Sequence, residues 1–158
     1  TYPHMSRAFV KETADSAPPP ERMVEDGPNI VTRGGYEQIA AHVARIEASL
    51  KSETNVLLRE TLERDLRYWA LKKASAEIVA APSDGTVAFG SKVSIERSLA
   101  NGRRVQSFRI VGVDEADPAK GLISFRSPLA AALIGARAGD IIEAEKPLGE
   151  IAVISVEN

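Results

Sequence analysis

The sequence predicts an α+β protein: a helical hairpin followed by a small β-rich domain with one short helix. Three observations predict it. Apolar residues recur at helical spacing from Thr32 to Ile78, switch to alternation or short runs after Gly85, and are interrupted by one proline-started helix at Pro128. In the first helix Thr32 is placed to cap, and Ile39, Val43, Ile46 and Leu50 form one stripe over about five turns. Lys51-Ser52-Glu53-Thr54-Asn55 breaks the pattern and permits a tight turn, with Thr54 as the expected second cap. The second stripe is Leu58, Leu62, Leu66 and Trp69, continued by Ala76 and Ile78, until Ala81-Pro82-Ser83-Asp84-Gly85 stops it. Two amphipathic helices joined by so short a turn imply an antiparallel pair burying each other's stripes. The mixed charges between the stripes read as solvated outer faces.

Beyond Gly85 the expected strands are Thr86 to Phe89, Lys92 to Glu96 and Val105 to Val111, with Asn101-Gly102 as a hairpin turn signal between the last two. Leu122 to Phe125, Ile141 to Ala144 and Glu150 to Val156 add three more. The helix between them has Ser127 as cap and Pro128 at its first position, where a missing N–H costs nothing. Leu129, Ala132 and Leu133 are expected on its buried face, and Gly135 is expected to end it. The chain of 158 residues therefore divides into an arm over 1–29, a helical hairpin over 30–81 and a domain over 85–158. The arm is rich in proline, charge and small residues and reads as flexible, with Ala8-Phe9-Val10 its one apolar patch and Thr1-Tyr2-Pro3-His4 a cloning remnant.

Composition excludes several functions. A net charge of -2 argues against a general or sequence-specific nucleic-acid binder. The absence of cysteine removes disulfides and thiolate metal sites. No apolar run approaches the ~20 residues needed to span a bilayer, so a soluble, cytoplasmic protein without membrane contact is expected. With His4 and His42 the only histidines, neither a Ser-His-Asp site nor a histidine metal cluster can be assembled. His42 reads as a helix-surface or hairpin-packing residue. Gly85 and Gly90 match no phosphate-binding fingerprint. Glu53, Glu60, Glu63 and Asp65 lie near the hairpin turn, but Arg59 and Arg64 flank them, and neutralised surface carboxylates are the commoner outcome. No self-contained active site emerges, so the chain is not expected to be an enzyme or to carry an intrinsic cofactor.

The densest stretch is Val111 to Asp140. Asp114, Glu115 and Asp117 crowd before Pro118, Ala119, Lys120 and Gly121, a turn with a strong local negative field. Asp114-Glu115-Ala116-Asp117-Pro118 with Lys120-Gly121, then Ser127-Pro128-Leu129-Ala130, Leu133-Ile134-Gly135 and Gly139-Asp140 resembles the C-terminal signature of the bacterial Gre (GreA/GreB-like) transcript-cleavage factors. Val87-Ala88-Phe89-Gly90-Ser91 with Val93 resembles that family's first C-terminal strand, and Ile30-Val31-Thr32 with Gly35 and Tyr36 resembles the start of its coiled coil.

The resemblance implies an N-terminal antiparallel coiled coil and an FKBP-like C-terminal domain. It implies a monomer whose C-terminal domain grips the rim helices of the bacterial RNA polymerase secondary channel, through Asp114, Glu115, Ala116, Asp117, Pro118, Ser127, Pro128 and Leu129. The hairpin tip, Ser52, Glu53, Thr54, Asn55 and the nearby Glu60, would face the channel. In the family, two acidic tip residues bring Mg²⁺ to the polymerase active centre. Here the family's Asp-Leu-Ser-Glu-Asn-like tip run is missing, and the hairpin is shorter by about twenty residues, or roughly 15 Å of reach. The expectation is a regulator at the secondary channel without efficient cleavage. The alternatives are a true cleavage stimulator, with Glu53 and Glu60 replacing the lost acids and Mg²⁺ recruited, and a peptide-binding module on the FKBP-like fold.

Overall fold

A computed structural model describes residues 17–158. The remnant expected at 1–4 and the Ala8-Phe9-Val10 patch lie outside the described residues. The chain forms two compact units. One comprises the described residues up to Gly27 together with Ile39–Ser75; the other comprises Pro28–Gln38 and Ala76–Asn158.

In the first unit lie most of helix α1 (Arg33–Ser52) and all of helix α2 (Val56–Ser75), joined by a turn of three residues. The two expected stripes differ in outcome. Ile39 and Val43 are buried and Ile46 and Leu50 half-buried on α1, and Leu62, Leu66 and Trp69 are half-buried on α2. Leu58, expected on the buried stripe, is instead 53% exposed. The cause is local: the facing end of α1 offers Ser49 and Ser52, too small to cover it, and a shallow groove of about 360 Å³ opens between Ser49, Ser52, Glu53, Leu58, Thr61 and Leu62. His42 stacks on Trp69 at 4.1 Å between ring centroids, which makes it the hairpin-packing residue anticipated for it. The second cap also moves by one residue, from Thr54 to Asn55, whose Oδ1 accepts the Leu58 N–H at 3.0 Å.

Part of the expected arm is held against α2. Glu21 pairs with Arg67, Arg22 lies 3.6 Å from Asp65, and the Arg22 guanidinium sits 3.8 Å from the centre of the Tyr68 ring. A cation over an aromatic face adds an electrostatic contact to the ion pairs.

The second unit holds a small parallel pair, β1 (Asn29–Val31) with β2 (Ala76–Ile78), and a five-stranded sheet. Ala76 and Ile78 were expected to continue the second helix. They pair with Asn29 and Val31 instead, because β1 offers their backbone a parallel ladder of hydrogen-bond partners that begins where the helix ends at Ser75. The large sheet contains β3 (Lys92–Leu99), β4 (Gly102–Val111), β5 (Leu122–Ser124), β6 (Ile141–Ala144) and β7 (Gly149–Glu157) in the order β5-β4-β3-β7-β6. The β3–β4 hairpin turns through Ala100-Asn101, and Gly102, at φ +125°, already pairs with Leu99, so the turn signal holds but lies one residue earlier. Thr86 to Phe89 is not a strand. Val87 exchanges hydrogen bonds with Ala136 and Gly135 at 2.8 Å each, so its backbone is satisfied by the segment after the short helix rather than by the sheet.

That helix, α3 (Pro128–Leu133), covers one sheet face. Ala130 and Leu133 are fully buried, whereas Leu129 and the expected Ala132 are half-buried, a rotation of the buried face by part of a turn. They meet Val93, Ile95, Ile110, Ile151 and Val153 from the three central strands, with Val87 closing the core. The result is the predicted class, two helices followed by a mixed sheet with one short helix.

Candidate functional site

β4 and β5 run parallel, with Arg109 opposite Leu122 and Val111 opposite Ser124, so residues 112–121 must carry the chain back along the strand. A parallel pair requires such a return. Here it is made in ten residues by two 3-10 turns, Val113–Glu115 and Pro118–Lys120. Asp117 closes the return: its N–H donates to the Leu122 carbonyl at 2.8 Å and its carbonyl accepts from Leu122 at 3.1 Å. Gly121, at φ +73°, ends the second turn in a conformation that favours glycine.

The three acids of this return are placed differently. Asp117 keeps an exposed carboxylate, with Lys120 Nζ 4.0 Å away. Asp114 is half-buried and its Oδ2 is shielded from solvent. Glu115 turns inward: Thr32 Oγ1 donates to its two carboxylate oxygens, at 2.9 and 2.8 Å. The same hydroxyl accepts the Gly35 N–H at 2.9 Å, which makes Thr32 the N-cap expected of it. A carboxylate at this helix end is favoured by the unpaired N–H groups there. Two glycines allow the approach. A Cβ on Gly35 would stand 2.6 Å from Glu115 Oε2, and one on Gly112 would stand 2.8 Å from the Ile30 carbonyl.

Of the other predicted contact residues, Ala116 is half-buried and Pro118 is exposed at the start of the second 3-10 turn. Ser127 caps α3 by accepting the Ala130 N–H at 3.2 Å, Pro128 is exposed and Leu129 leans on the core. The acidic return precedes β5 and the cap follows it, so a strand of three residues separates the two halves of the predicted surface.

The predicted tip residues lie in the other unit. Glu53 Oε2 accepts the Thr54 N–H at 3.2 Å, and Asn55 caps α2. Arg59, which the sequence pattern suggests only as a neutralising charge, ties the turn shut: its Nη1 donates to the carbonyls of Leu50 and Glu53 at 2.7 and 2.8 Å. Glu60 is half-buried one residue further along. Beside these groups the surface is apolar, with Val56 70%, Leu57 42% and Leu58 53% exposed. Among the described residues, no three His, Cys, Asp or Glu side chains are arranged to hold a metal ion, and no helix is long and apolar enough to cross a membrane.

Residues 82–158 match the family described as transcription elongation factor, GreA/GreB, C-term. Transcription elongation factor GreA of Helicobacter pylori strain 26695 is 44% identical over 79 residues, which cover 49% of this chain and 47% of that protein. GreA of Yersinia pestis is 40% identical over 83 residues, 51% of each chain. The chain thus spans about half the length of the GreA relatives it matches. A solved structure of GreA factor homolog 1 from Thermus thermophilus aligns over 84% of this chain and 100% of its own at 22% identity, with a TM-score of 0.39, too loose to carry an argument about geometry. The matched segment contains the acidic return, its parallel strand pair and the Ser127-capped helix, and residues 82–158 therefore form a domain of the GreA/GreB C-terminal type.

Proposed function

We propose that this chain is a GreA/GreB-type transcription elongation factor that docks at the RNA polymerase secondary channel through its C-terminal domain and does not cleave transcripts efficiently. The match over residues 82–158 supports the docking half of this reading. The exposed return and cap residues Asp117, Pro118 and Pro128 supply its surface, with the Asp117 carboxylate suited to a basic rim group.

The composition of the hairpin tip carries the second half. Mg²⁺ demands oxygen ligands at about 2.0–2.1 Å. From Ser52 to Arg59 the chain supplies one carboxylate, Glu53, beside the Arg59 cation and three exposed aliphatic side chains. A cation and an apolar surface both disfavour capture of a second cation. The two helices of 20 residues each also give a reach of roughly 30 Å.

The wild-type chain is expected to retain core polymerase in a pull-down, and Asp117→Ala combined with Pro128→Ala to lose it; unchanged retention would remove the proposed surface. Backtracked complexes given the protein and Mg²⁺ are expected to keep full-length transcripts. Shortened transcripts would instead establish a cleavage stimulator, with Glu53 and Glu60 as the acids to test.

A further inference from the structure

Resting on that reading, we infer that Glu115 is a positioning residue rather than a polymerase contact: its carboxylate, latched onto the Thr32 hydroxyl at the first turn of α1, holds residues 113–121 in the shape that presents Asp117 and Pro118. Sequence pattern alone groups Glu115 with its acidic neighbours. The geometry separates it from them.

Both carboxylate oxygens lie within 2.9 Å of Thr32 Oγ1, and the hydroxyl is itself engaged by the Gly35 N–H. A carboxylate held this way faces a helix end and is not presented to a partner. Its backbone, meanwhile, is part of the return: the Glu115 N–H donates to the Gly112 carbonyl at 3.1 Å, two residues before Asp117 forms its paired bonds with Leu122. Between Gly112 and Asp117 the side-chain tie at Glu115 fixes the segment to the start of α1. The close approaches at Gly35 and Gly112 show that two chain segments about 80 residues apart in sequence have been brought together, with a backbone carbonyl blocking a methyl group at Gly112 and the Glu115 carboxylate itself filling that space at Gly35.

Gly35→Ala separates this role from general stability. The added Cβ would stand 2.6 Å from Glu115 Oε2, the far end of a flexible side chain that gives way at little cost. Alanine also favours the helix where glycine does not. The variant therefore displaces the carboxylate, and the Thr32 hydroxyl 3.3 Å from the new Cβ needs to give by only a few tenths of an ångström, so α1 is kept. Helix content is expected at wild-type level, and the helix gain from alanine largely offsets the lost tie in thermal unfolding. Amide exchange across residues 113–121 is expected to quicken about tenfold and affinity for core polymerase to fall about tenfold, the scale of one hydrogen bond to a charged group.

Thr32→Val should reproduce the exchange and affinity changes, and Thr32→Ser, which keeps the hydroxyl, should restore both. Glu115→Gln retains an acceptor for Thr32 without the charge, so its affinity should stay within about twofold of wild type. A Glu115→Gln variant that loses binding while Thr32→Val keeps it would make Glu115 a direct contact and overturn the inference. Unchanged exchange in both Gly35→Ala and Thr32→Val would overturn it as well. If the wild-type chain does not bind polymerase, the docking reading fails, yet the exchange measurements still decide the latch.

Discussion

The acidic return and the hairpin tip are both short charged connections between rigid elements, and they hold their carboxylates in different ways. In the return, Glu115 and Asp117 belong to a network that reaches α1 on one side and β5 on the other. At the tip, the Glu53 carboxylate accepts its neighbour's N–H, and Arg59 closes the turn through the carbonyls of Leu50 and Glu53 while its Nη2 lies 3.8 Å from Glu63. The first arrangement depends on distant segments, the second on residues within one turn. An acidic residue is therefore a poor indicator of a free charge until its surroundings are known: of these two regions, the one with more acids holds the acid tied to a distant segment.

The two regions also differ in how they are supported, and the largest test exploits that. Leu133 is fully buried beneath the return's own domain, whereas Leu58 at the tip is half exposed. Leu133→Ala is expected to cost about 2–5 kcal/mol in urea unfolding, and Leu58→Ala to stay within about 0.5 kcal/mol. Similar losses at the two positions would end the distinction between a packed platform and a solvated tip.

Caps offer a finer comparison. Ser127→Ala and Asn55→Ala each remove a side-chain acceptor from a helix N-terminus, and each is expected to lower stability by about 1 kcal/mol in thermal unfolding. Thr54→Ala, one residue away, should change stability by no more than about 0.5 kcal/mol. A larger loss at Thr54 than at Asn55 would return the cap to the residue the sequence suggested.

The smallest effect concerns the segment held on α2. The hydrogen bond from Arg67, aided by its charge, holds the Glu21 carboxyl below the usual glutamate range, and both groups are exposed. A depressed folded-state pKa contributes above the unfolded value and is lost as pH falls through the folded one. Acidification through and below the ordinary glutamate range should therefore loosen residues around Glu21, seen in the fluorescence of Trp69, the single tryptophan, which lies 5.3 Å from Arg22. Arg67→Gln should flatten that pH dependence, and a profile unaltered by the substitution would show that the pair does not anchor the segment.

Much of the fold is legible in the sequence. The period of the apolar residues locates both long helices, and the Ser127-Pro128 pair locates the start of α3, because helix spacing and capping are local properties. Five of the six expected strands form, with bounds shifted by no more than three residues. The misreadings share a cause. Thr86 to Phe89 is buried like a strand but bonds outside the sheet, Ala76 to Ile78 leaves the helix for β1, and Leu58 lacks a large partner across the hairpin. In the first two cases the deciding group is far away in sequence, and in the third it lies across the hairpin turn, on the facing helix.

The candidate site divides along the same line. That residues 111–140 form a return, a strand and a capped helix follows from turn chemistry and a proline at the first helical position. Which of the acids in that return faces solvent depends on Thr32 and Gly35, about eighty residues earlier, for which spacing offers no signal. Local propensity and hydrophobic period therefore determined the class, the two-helix start and the cap from sequence alone. Only tertiary structure decided the parallel β1–β2 pair and the inward turn of Glu115, because each depends on side-chain or backbone hydrogen-bond partners that no local stretch of the chain contains.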